Sequence, residues 1–485
     1  MKLVRRHRLP NGMDLYWQPD EGQHLVGVGV KAGAFHDSIA LSNLVLHGLA
    51  HYVEHSVARG ADPDKVEYHE RKLRSFGCGP ERGINICTSH DYTFYGASMV
   101  RKRRYATELF DTIFAPMVTK QLITKEGMDI ERAAIFTEYL VYGKDLADEL
   151  RSELLFKSIY PNHPINNRID CEEEDLKRIS PYHVKKFISE FYVPNIMFAI
   201  LLGPSFEKAK QLVYKHFGDL QPKEVPQLQI SDSQMRPILS GVHSTQGEKA
   251  GLRAYYVAVG FPTMPYGYEG DEDVEVLSEI MEYKIEEALR EKNRIFGQGT
   301  YRPFSQVSRS KIHGTIYFTF ETPEESFVDE GIERIIKVCE TVKNKGVDHD
   351  VVEKAVENLP ERRKKIASNV MKRRMRTDFI KDIHMGKMSC QNAYLEAYEI
   401  SPDNLTDLII NEAVNGDESM KILNTYPERI AKVNAKSVWR VANEYLTTPH
   451  NFALSVVKPI PGTQEVHITP DFYNQERKQL WLPFK

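Results

Sequence analysis

The chain has 485 residues, of which 41% are hydrophobic, 27% charged and 10% aromatic, and its formal net charge is −4. This composition is typical of soluble globular proteins, and at roughly 150 residues per domain the length predicts two to four domains. The nearly balanced charge disfavours a nucleic-acid-binding protein or a protein that lies on a membrane surface.

Cysteine usage and apolar runs indicate the compartment. Five cysteines are scattered without a CxxC pair: Cys78, Cys87, Cys171, Cys339 and Cys390. This usage suits a reducing compartment better than a disulfide scaffold. No apolar region follows the basic N-terminal residues, and no apolar run reaches the roughly 18 residues of a membrane span. We therefore expect a cytoplasmic protein.

The first half of the chain opens with strand patterns. A turn at Asn11-Gly12 joins two of them, and HLVGVGVKAGAF (24–35) places alternate valines on one face. A helical pattern follows over residues 38–59, β character returns over 83–99, and helices resume over 102–142. Residues 180–192 begin with Ser-Pro, which is typical of a helix N-terminus, and NIMFAILLG (195–203) reads as a buried strand.

The patterns after residue 237 predict that the second half repeats the plan of the first. Residues 221–237 contain three prolines and little apolar periodicity, which favours a linker. Strands and helices then recur in a similar order, and the strand pattern at 451–460 closes the second half. We predict an α+β protein with two similar halves, each a mixed sheet packed with helices. The predicted boundaries are 1–222 for the first domain, 223–240 for the linker and 241–485 for the second domain.

The stretch HGLAHYVEHSVARG (47–60) carries the main chemical signal. His51 and His55 are four apart and so lie on one face of a helix, and Glu54 borders that face. Two imidazoles at this spacing can share one metal ion, and the carboxylate can hold a water on it. These residues interrupt an apolar run, so they point inward and need partners. His47 extends the same face, although a histidine there is more often a hydrogen-bonded core residue.

A catalytic zinc site needs a third protein ligand and leaves a position for water. The helical pattern DIERAAIFTEYLVY (129–142) offers Glu131 and Glu138, which are seven apart and share one face. Glu138 interrupts an apolar series, so its burial is costly unless it is engaged. The alternative is that these are solvated surface residues, since a short motif can arise by chance in a chain with 17 histidines.

HYVEH (51–55) is the inverted zinc motif of the inverzincins. With it, the chain resembles the pitrilysin family of zinc metallopeptidases, in particular the shorter two-domain members related to mitochondrial processing peptidase. LPNGMDLYW, VGVKAGAFHD, NICTSHDYTFY and YPNHPINNRI resemble further landmarks of that family. The resemblance implies a clam-like chamber between the halves, with a zinc-binding catalytic first domain and a second domain that binds no metal.

The resemblance also assigns roles around one Zn²⁺ per chain. It implies that His51, His55 and Glu138 are the zinc ligands and that Glu54 is the general base. Glu131 would support the site from behind the ligands. The separation from His55 to Glu138 is longer than is usual in the family, so Glu131 as the ligand is an open alternative.

Substrate contacts follow from the same resemblance. Asn85, with the backbone around Ile86, would pair with an extended substrate. The segment ALREKNRIFGQGTYRPF (288–304) resembles a family segment whose arginine and tyrosine contact substrate. Arg290 fits the arginine, but the tyrosine position holds Gly297, and Tyr301 is the nearest candidate. In related enzymes this segment serves the partner's site, so a homodimer or a heterodimer with a related chain is implied.

The predicted function is that of a zinc-dependent endopeptidase acting on peptides or unfolded segments. The alternative is a non-catalytic peptide-binding or scaffold subunit of a pitrilysin-family heterodimer. A basic run over residues 361–379 is most simply a solvated face or an inter-domain contact, and an acidic-peptide or nucleic-acid patch is the other interpretation. We expect no nucleic-acid or membrane partner.

Overall fold

The computed structural model describes most of the chain. The described residues are 4–19, 25–41, 44–59, 71, 73–75, 84–97, 103–142, 147–171, 173–227, 237, 241–249, 252–289, 301–357, 359, 402–416 and 421–461. Within these ranges the chain forms two compact units, each with one β-sheet. None of the helices in these ranges is both long and apolar enough to cross a bilayer.

Six strands form the sheet of the first unit. They are β1 (Arg5–Arg8), β2 (Asp14–Pro19), β3 (Val26–Val30), β4 (Ile84–Thr88), β5 (Thr93–Ala97) and β6 (Met197–Gly203). Their order across the sheet is β1-β2-β6-β3-β5-β4. β2 and β6 run parallel and all other neighbours run antiparallel, so the sheet is mixed.

The predicted turn at Asn11-Gly12 is confirmed and joins β1 to β2. Gly12 has a φ of 88°, in the left-handed region that glycine adopts without steric cost. The N–H of Leu9 donates to the carbonyl of Met13 across the loop, at 2.8 Å. The turn thus sets the pairing of Arg8 with Asp14 in the two strands.

Helices surround both sheets. In chain order they are α1 (Leu49–Ala58), α2 (Arg103–Leu109), α3 (Ala115–Thr119), α4 (Lys125–Tyr142), α5 (Ala147–Ile159), α6 (Glu173–Arg178), α7 (Pro181–Phe191), α8 (Phe206–Phe217), α9 (Asp271–Leu289), α10 (Ser326–Lys345), α11 (Pro402–Asn415), α12 (Lys421–Ile430) and α13 (Ala435–Tyr445). A π-helical turn, Phe110–Phe114, joins α2 to α3. The predicted Ser-Pro start is confirmed, because α7 begins at Pro181 with Ser180 as its N-cap residue.

The core of the first unit positions α1 on the sheet. The helix packs against β4, β5 and α7. Val26, Val28 and Val30 of β3 are fully buried and belong to the same core as Tyr52 and Val53 of α1. The alternating valines predicted to share one face therefore belong to the core on which the helix with the histidine motif packs.

Five strands form the sheet of the second unit. They are β7 (Val242–Lys249), β8 (Tyr255–Pro262), β9 (Tyr301–Arg309), β10 (Gly314–Thr322) and β11 (Phe452–Pro459). Their order is β7-β11-β8-β10-β9. β11 runs parallel to β7, and the other neighbours run antiparallel.

The two sheets share one topology. The order β2-β6-β3-β5-β4 in the first unit matches β7-β11-β8-β10-β9 in the second, strand by strand and in the direction of every pairing. In each sheet the last strand along the chain lies between the first two of the matched set. The predicted α+β class, with two similar halves that each carry a mixed sheet and helices, is confirmed.

The compact units are not continuous in sequence. The first comprises Met1–Phe136, Asn167–Gln229 and Glu357–Ala431, and the second comprises Thr137–Asn166, Ile230–Val356 and Lys432–Lys485. Helix α5 packs on the second sheet although it precedes the predicted linker. The hydroxyl of Tyr160 donates to the carbonyl of Gly314 at 2.6 Å, and that of Ser455 donates to the carbonyl of Arg151 at 2.7 Å. The first unit therefore includes residues 357–431, which follow the predicted linker, and the second unit includes residues 137–166, which precede it.

Candidate metal centre

The motif helix α1 begins at a sharply defined point. Gly48, its N-cap residue, has a φ of 76°, and a Cβ there would lie 2.5 Å from the sulfur of Cys171. Both carboxylate oxygens of the fully buried Asp37 accept backbone N–H groups, from Gly48 and Ala50, each at 2.9 Å. The helix predicted from residue 38 thus starts only at Leu49, because Asp37 satisfies its first N–H groups from a preceding loop.

Packing then fixes the rotation of α1. Tyr52 is fully buried, and its hydroxyl donates to the carbonyl of Met128 in α4 at 2.6 Å. His51 and His55, on another face, keep 12% and 14% of their side chains exposed. Their ring centroids are 4.8 Å apart. The predicted pairing of the two imidazoles on one helix face is therefore present.

Glu138 of α4 joins the two histidines. One ligand atom from each of His51, His55 and Glu138 lies within 4.8 Å of the others. Zinc ligand atoms about 2.0–2.2 Å from the ion lie about 3.4 Å apart in a tetrahedron, so small side-chain rotations close this set. Two imidazoles and one carboxylate form a donor set of catalytic zinc sites, and the residues present fit such an ion.

One other metal-type group occurs among the described residues. His349, Asp350 and Glu353 also bring ligand atoms within 4.8 Å of one another, but all three residues are exposed. Exposed acidic groups need no ion, because water solvates them. The cluster on α1 and α4 differs in being partly enclosed.

Glu54 is almost completely buried, with 6% of its surface exposed. Its Oε2 accepts a hydrogen bond from the hydroxyl of Thr88 at 3.0 Å and lies 4.0 Å from Nε2 of His51. The buried hydroxyls of Tyr95 and Tyr192 are hydrogen-bonded to each other at 2.6 Å. Burial raises the pKa of both phenols, and the charge of Glu54 raises it further. Both phenols therefore stay protonated beside a carboxylate.

Glu131 lies behind one of the histidines. Its Oε2 is 3.3 Å from Nδ1 of His55, and its Oε1 accepts a hydrogen bond from Nη1 of Arg59 at 2.9 Å. A carboxylate on Nδ1 leaves Nε2 for a metal. Asp170 stands in a similar relation to His51, with 3.8 Å between its Oδ1 and the ring Nδ1.

Three residues near the site were missed from the sequence: Arg59, Thr88 and Asp170. Arg59 follows His55 by four positions and is the C-cap residue of α1, so helical spacing was a usable signal. Thr88 ends β4, but nothing in a strand pattern says that its hydroxyl reaches Glu54. Asp170 is more than 100 positions from His51, and no periodicity marks it.

The predicted substrate-binding residues lie in different parts of the fold. Asn85 and Ile86 lie in β4, which is an edge strand of its sheet and packs beside α1. Tyr301 begins β9 in the second sheet. Arg290 and Gly297 lie outside the described residues, as does the basic run 361–379. His47 is not in the metal group, and its backbone N–H donates to Oδ2 of Asp175 at 3.0 Å.

Comparisons with known proteins bear on both halves of the chain. The family described as Peptidase M16 inactive domain matches residues 178–359, a segment that contains none of His51, Glu54, His55 and Glu138. The uncharacterized zinc protease YmxG of Bacillus subtilis is 21% identical over 74% of this chain and 83% of its own length. The human mitochondrial-processing peptidase subunit beta is 22% identical over 65% of this chain, and the match covers 60% of that subunit.

Solved structures show the same fold. A protease from Helicobacter pylori superposes with a TM-score of 0.74 at 18% identity, over 95% of this chain and all of that chain. A peptidase M16 inactive domain from Pseudomonas fluorescens superposes with a TM-score of 0.72 at 13% identity, over 95% and 99%. The resemblance read from the motif and its flanking strands is confirmed by the match to the Peptidase M16 inactive domain, by the relatives named zinc protease and mitochondrial-processing peptidase, and by solved structures that share the fold.

Proposed function

We propose that the chain is a zinc-dependent endopeptidase that hydrolyses peptides or unfolded segments. The observation that carries the proposal is the meeting of His51, His55 and Glu138 beside the buried carboxylate of Glu54. Each of these residues was singled out by its spacing in the sequence, and packing alone gives no reason to enclose such polar groups together.

The metal would be held by the two imidazoles and by Glu138. When bound, zinc supplies a Lewis acid that acidifies a water molecule and polarises a carbonyl group. Glu54 accepts the proton of the attacking water and delivers it to the leaving amine. Thr88 holds Glu54 through its hydrogen bond and so fixes the direction in which the carboxylate takes the proton.

Substrate binding follows from the position of β4. An edge strand has backbone groups that can pair with an added strand, so an extended peptide can align along Asn85 and Ile86. Because β4 packs beside α1, the peptide would pass the metal centre. A requirement for extended backbone selects peptides and unfolded segments. Contacts from Arg290 and Tyr301 remain predictions.

Assembly is part of the proposal. Relatives include alpha and beta subunits of mitochondrial-processing peptidase, which are named as subunits of one enzyme. We propose that this chain likewise acts as a homodimer or with a related chain.

The second candidate function is a non-catalytic peptide-binding or scaffold subunit. The match of residues 178–359 to a domain described as inactive favours it. Against it stands the complete set of His51, Glu54, His55 and Glu138, since a subunit without catalytic function has no need to retain all four groups.

Zinc content and peptide cleavage, measured on the purified chain alone, distinguish the two functions. The wild type should hold about one zinc per chain and cleave a quenched fluorescent peptide, with products identified by mass spectrometry. Glu54→Gln should keep the zinc and lose about 10²–10⁴-fold in turnover, since general base catalysis contributes that much. Glu207→Gln, at an exposed glutamate of α8, is the matched control. A folded chain without zinc or cleavage would favour the scaffold function.

A further inference from the structure

We propose that Arg59 is a positioning residue of the metal centre, which holds Glu131 against His55 so that the imidazole is aimed at the metal. The proposal rests on the zinc site of the proposed function and adds a residue to it. One of the motif histidines is thus supported by a cation at the C-cap of its own helix, one turn beyond His55.

The contacts form a chain of three side chains. Nη1 of Arg59 donates to Oε1 of Glu131 at 2.9 Å, and Oε2 of the same carboxylate lies 3.3 Å from Nδ1 of His55. Between 14% and 18% of each of these side chains is exposed, so solvent screens the contacts less than it screens a surface ion pair. One carboxylate therefore bridges a guanidinium and an imidazole.

This arrangement separates the roles of the two glutamates on α4. Glu131 and Glu138 share one helix face, and either carboxylate is a chemically suitable zinc ligand. Both oxygens of Glu131 are engaged, by Arg59 and His55, whereas Glu138 brings its oxygen into the metal group. Arg59 is thus what commits Glu131 to the supporting position.

The path of the Arg59 side chain supports the assignment. It crosses α4 at Gly127, one turn before Glu131, where a Cβ would lie 3.4 Å from Cδ and 3.5 Å from Nε of the arginine. These are ordinary van der Waals distances, and the nearest atom to such a Cβ is Oγ1 of Thr124 at 3.1 Å. The side chain of Arg59 thus runs along the surface of α4 beside Gly127, on the way to Glu131.

The consequence is a defined ring orientation for His55. A carboxylate that accepts the Nδ1 proton fixes the tautomer with Nε2 free for a metal, and loss of such a partner typically lowers metal affinity about 10–100-fold. Without Arg59, Glu131 has no second anchor and can turn toward solvent. Arg59 acts through Glu131, so its removal should matter only while Glu131 is present.

The test is a double-mutant cycle on zinc affinity, measured on metal-free full-length protein by competition with a chromogenic chelator. Arg59→Ala should weaken zinc binding about 10–100-fold, and Arg59→Lys should restore most of it. Arg59→Ala combined with Glu131→Gln should be little worse than Glu131→Gln alone, because coupled residues do not add. Lys177→Ala, which breaks an exposed pair with Glu173 on α6, is the matched control.

Thermal unfolding of the metal-free variants separates positioning from folding. A variant that unfolds like the wild type but binds zinc more weakly supports the proposal. If Arg59→Ala does not fold, the comparison of Arg59→Lys with Arg59→Gln replaces it, with weaker zinc binding expected only for glutamine.

Two results would overturn the role of Arg59 while leaving the proposed function intact: wild-type zinc affinity in Arg59→Ala, or additive losses in the double variant. A wild-type chain that binds no zinc would instead overturn the proposed function, and with it the role of Arg59.

Discussion

The hydroxyl of Thr88 donates a hydrogen bond to Oε2 of Glu54, with 3.0 Å between the two oxygens. Thr88 is the last residue of the edge strand β4, and Glu54 lies on the motif helix. The strand on which a substrate would align is therefore bonded directly to the carboxylate that would take the proton. Substrate alignment and base orientation are linked through one side chain.

Removing this hydroxyl should lower turnover without removing the metal. Thr88→Val keeps the shape of the side chain but loses the donor. A hydrogen bond to a charged group contributes about 1.5–3 kcal/mol, so kcat should fall about 10–100-fold while KM and zinc content stay close to the wild type. Thr88→Ser retains the hydroxyl and should keep most of the activity. An unchanged kcat in Thr88→Val would show that Glu54 is held by other groups.

The two glutamates of α4 should differ in their effect on zinc. Glu131→Gln should weaken binding about 10–100-fold, as expected for loss of a partner behind a ligand. Glu138→Gln should weaken it further, because a ligand atom itself is replaced. Chelator competition on the two variants at one pH measures both. The reverse order would make Glu131 the ligand, which is the assignment that the spacing in the sequence left open.

Local patterns predicted those parts of the fold that depend on neighbours in sequence. The turn at Gly12, the buried strand β6 and the Ser-Pro start of α7 follow from backbone preferences and apolar runs. Residues 83–99 were expected to be β, and they form the antiparallel pair β4 and β5. The i, i+4 spacing of His51 and His55 placed both rings on one face.

Contacts between residues far apart in sequence could not be predicted from these local patterns. Nothing in the residues around Asp37 says that its carboxylate will accept the N–H groups of Gly48 and Ala50, so the start of α1 was predicted eleven residues too early. The partners of Glu54 and Glu131 depend on how α1, α4 and β4 pack. Sequence periodicity predicts which residues share a face of a helix. Which side chains of other elements contact that face is known only from the packed structure.

The Asp37 cap should contribute measurably to stability. Asp37→Ala would leave the buried N–H groups of Gly48 and Ala50 without their acceptor, at a cost of about 2 kcal/mol or more. Asp37→Asn keeps one acceptor oxygen and should cost less. Urea unfolding of metal-free protein measures the midpoints, with Asp219→Ala at an exposed aspartate as the control. Equal midpoints for Asp37→Ala and wild type would mean that other groups or water satisfy the helix start.

His36, next to Asp37, should make the first unit sensitive to acid. Burial lowers the pKa of His36 to about 4, and its ring Nδ1 accepts a hydrogen bond from the N–H of Gly33 at 3.2 Å. The ring also packs edge-on against Phe191, with 5.0 Å between the centroids. An unfolded histidine has a pKa of about 6.5, so between these values the unfolded chain binds more protons than the folded one. The contribution of His36 to stability is therefore complete above about pH 6.5 and is lost as the pH falls toward 4.

This pH dependence is open to direct measurement. The free energy of unfolding of metal-free protein, followed in urea from pH 7.5 to 4.5, should fall more steeply for the wild type than for His36→Asn. The difference in slope should approach about 1.4 kcal/mol per pH unit, the linkage of one proton. Asparagine offers an acceptor oxygen to Gly33 but does not titrate, and His450→Asn at an exposed histidine is the matched control. Parallel curves for wild type and His36→Asn would show that the folded protein admits a proton at His36 as readily as the unfolded chain does. In that case His36 would not make the region around Asp37, which caps the motif helix, sensitive to acid.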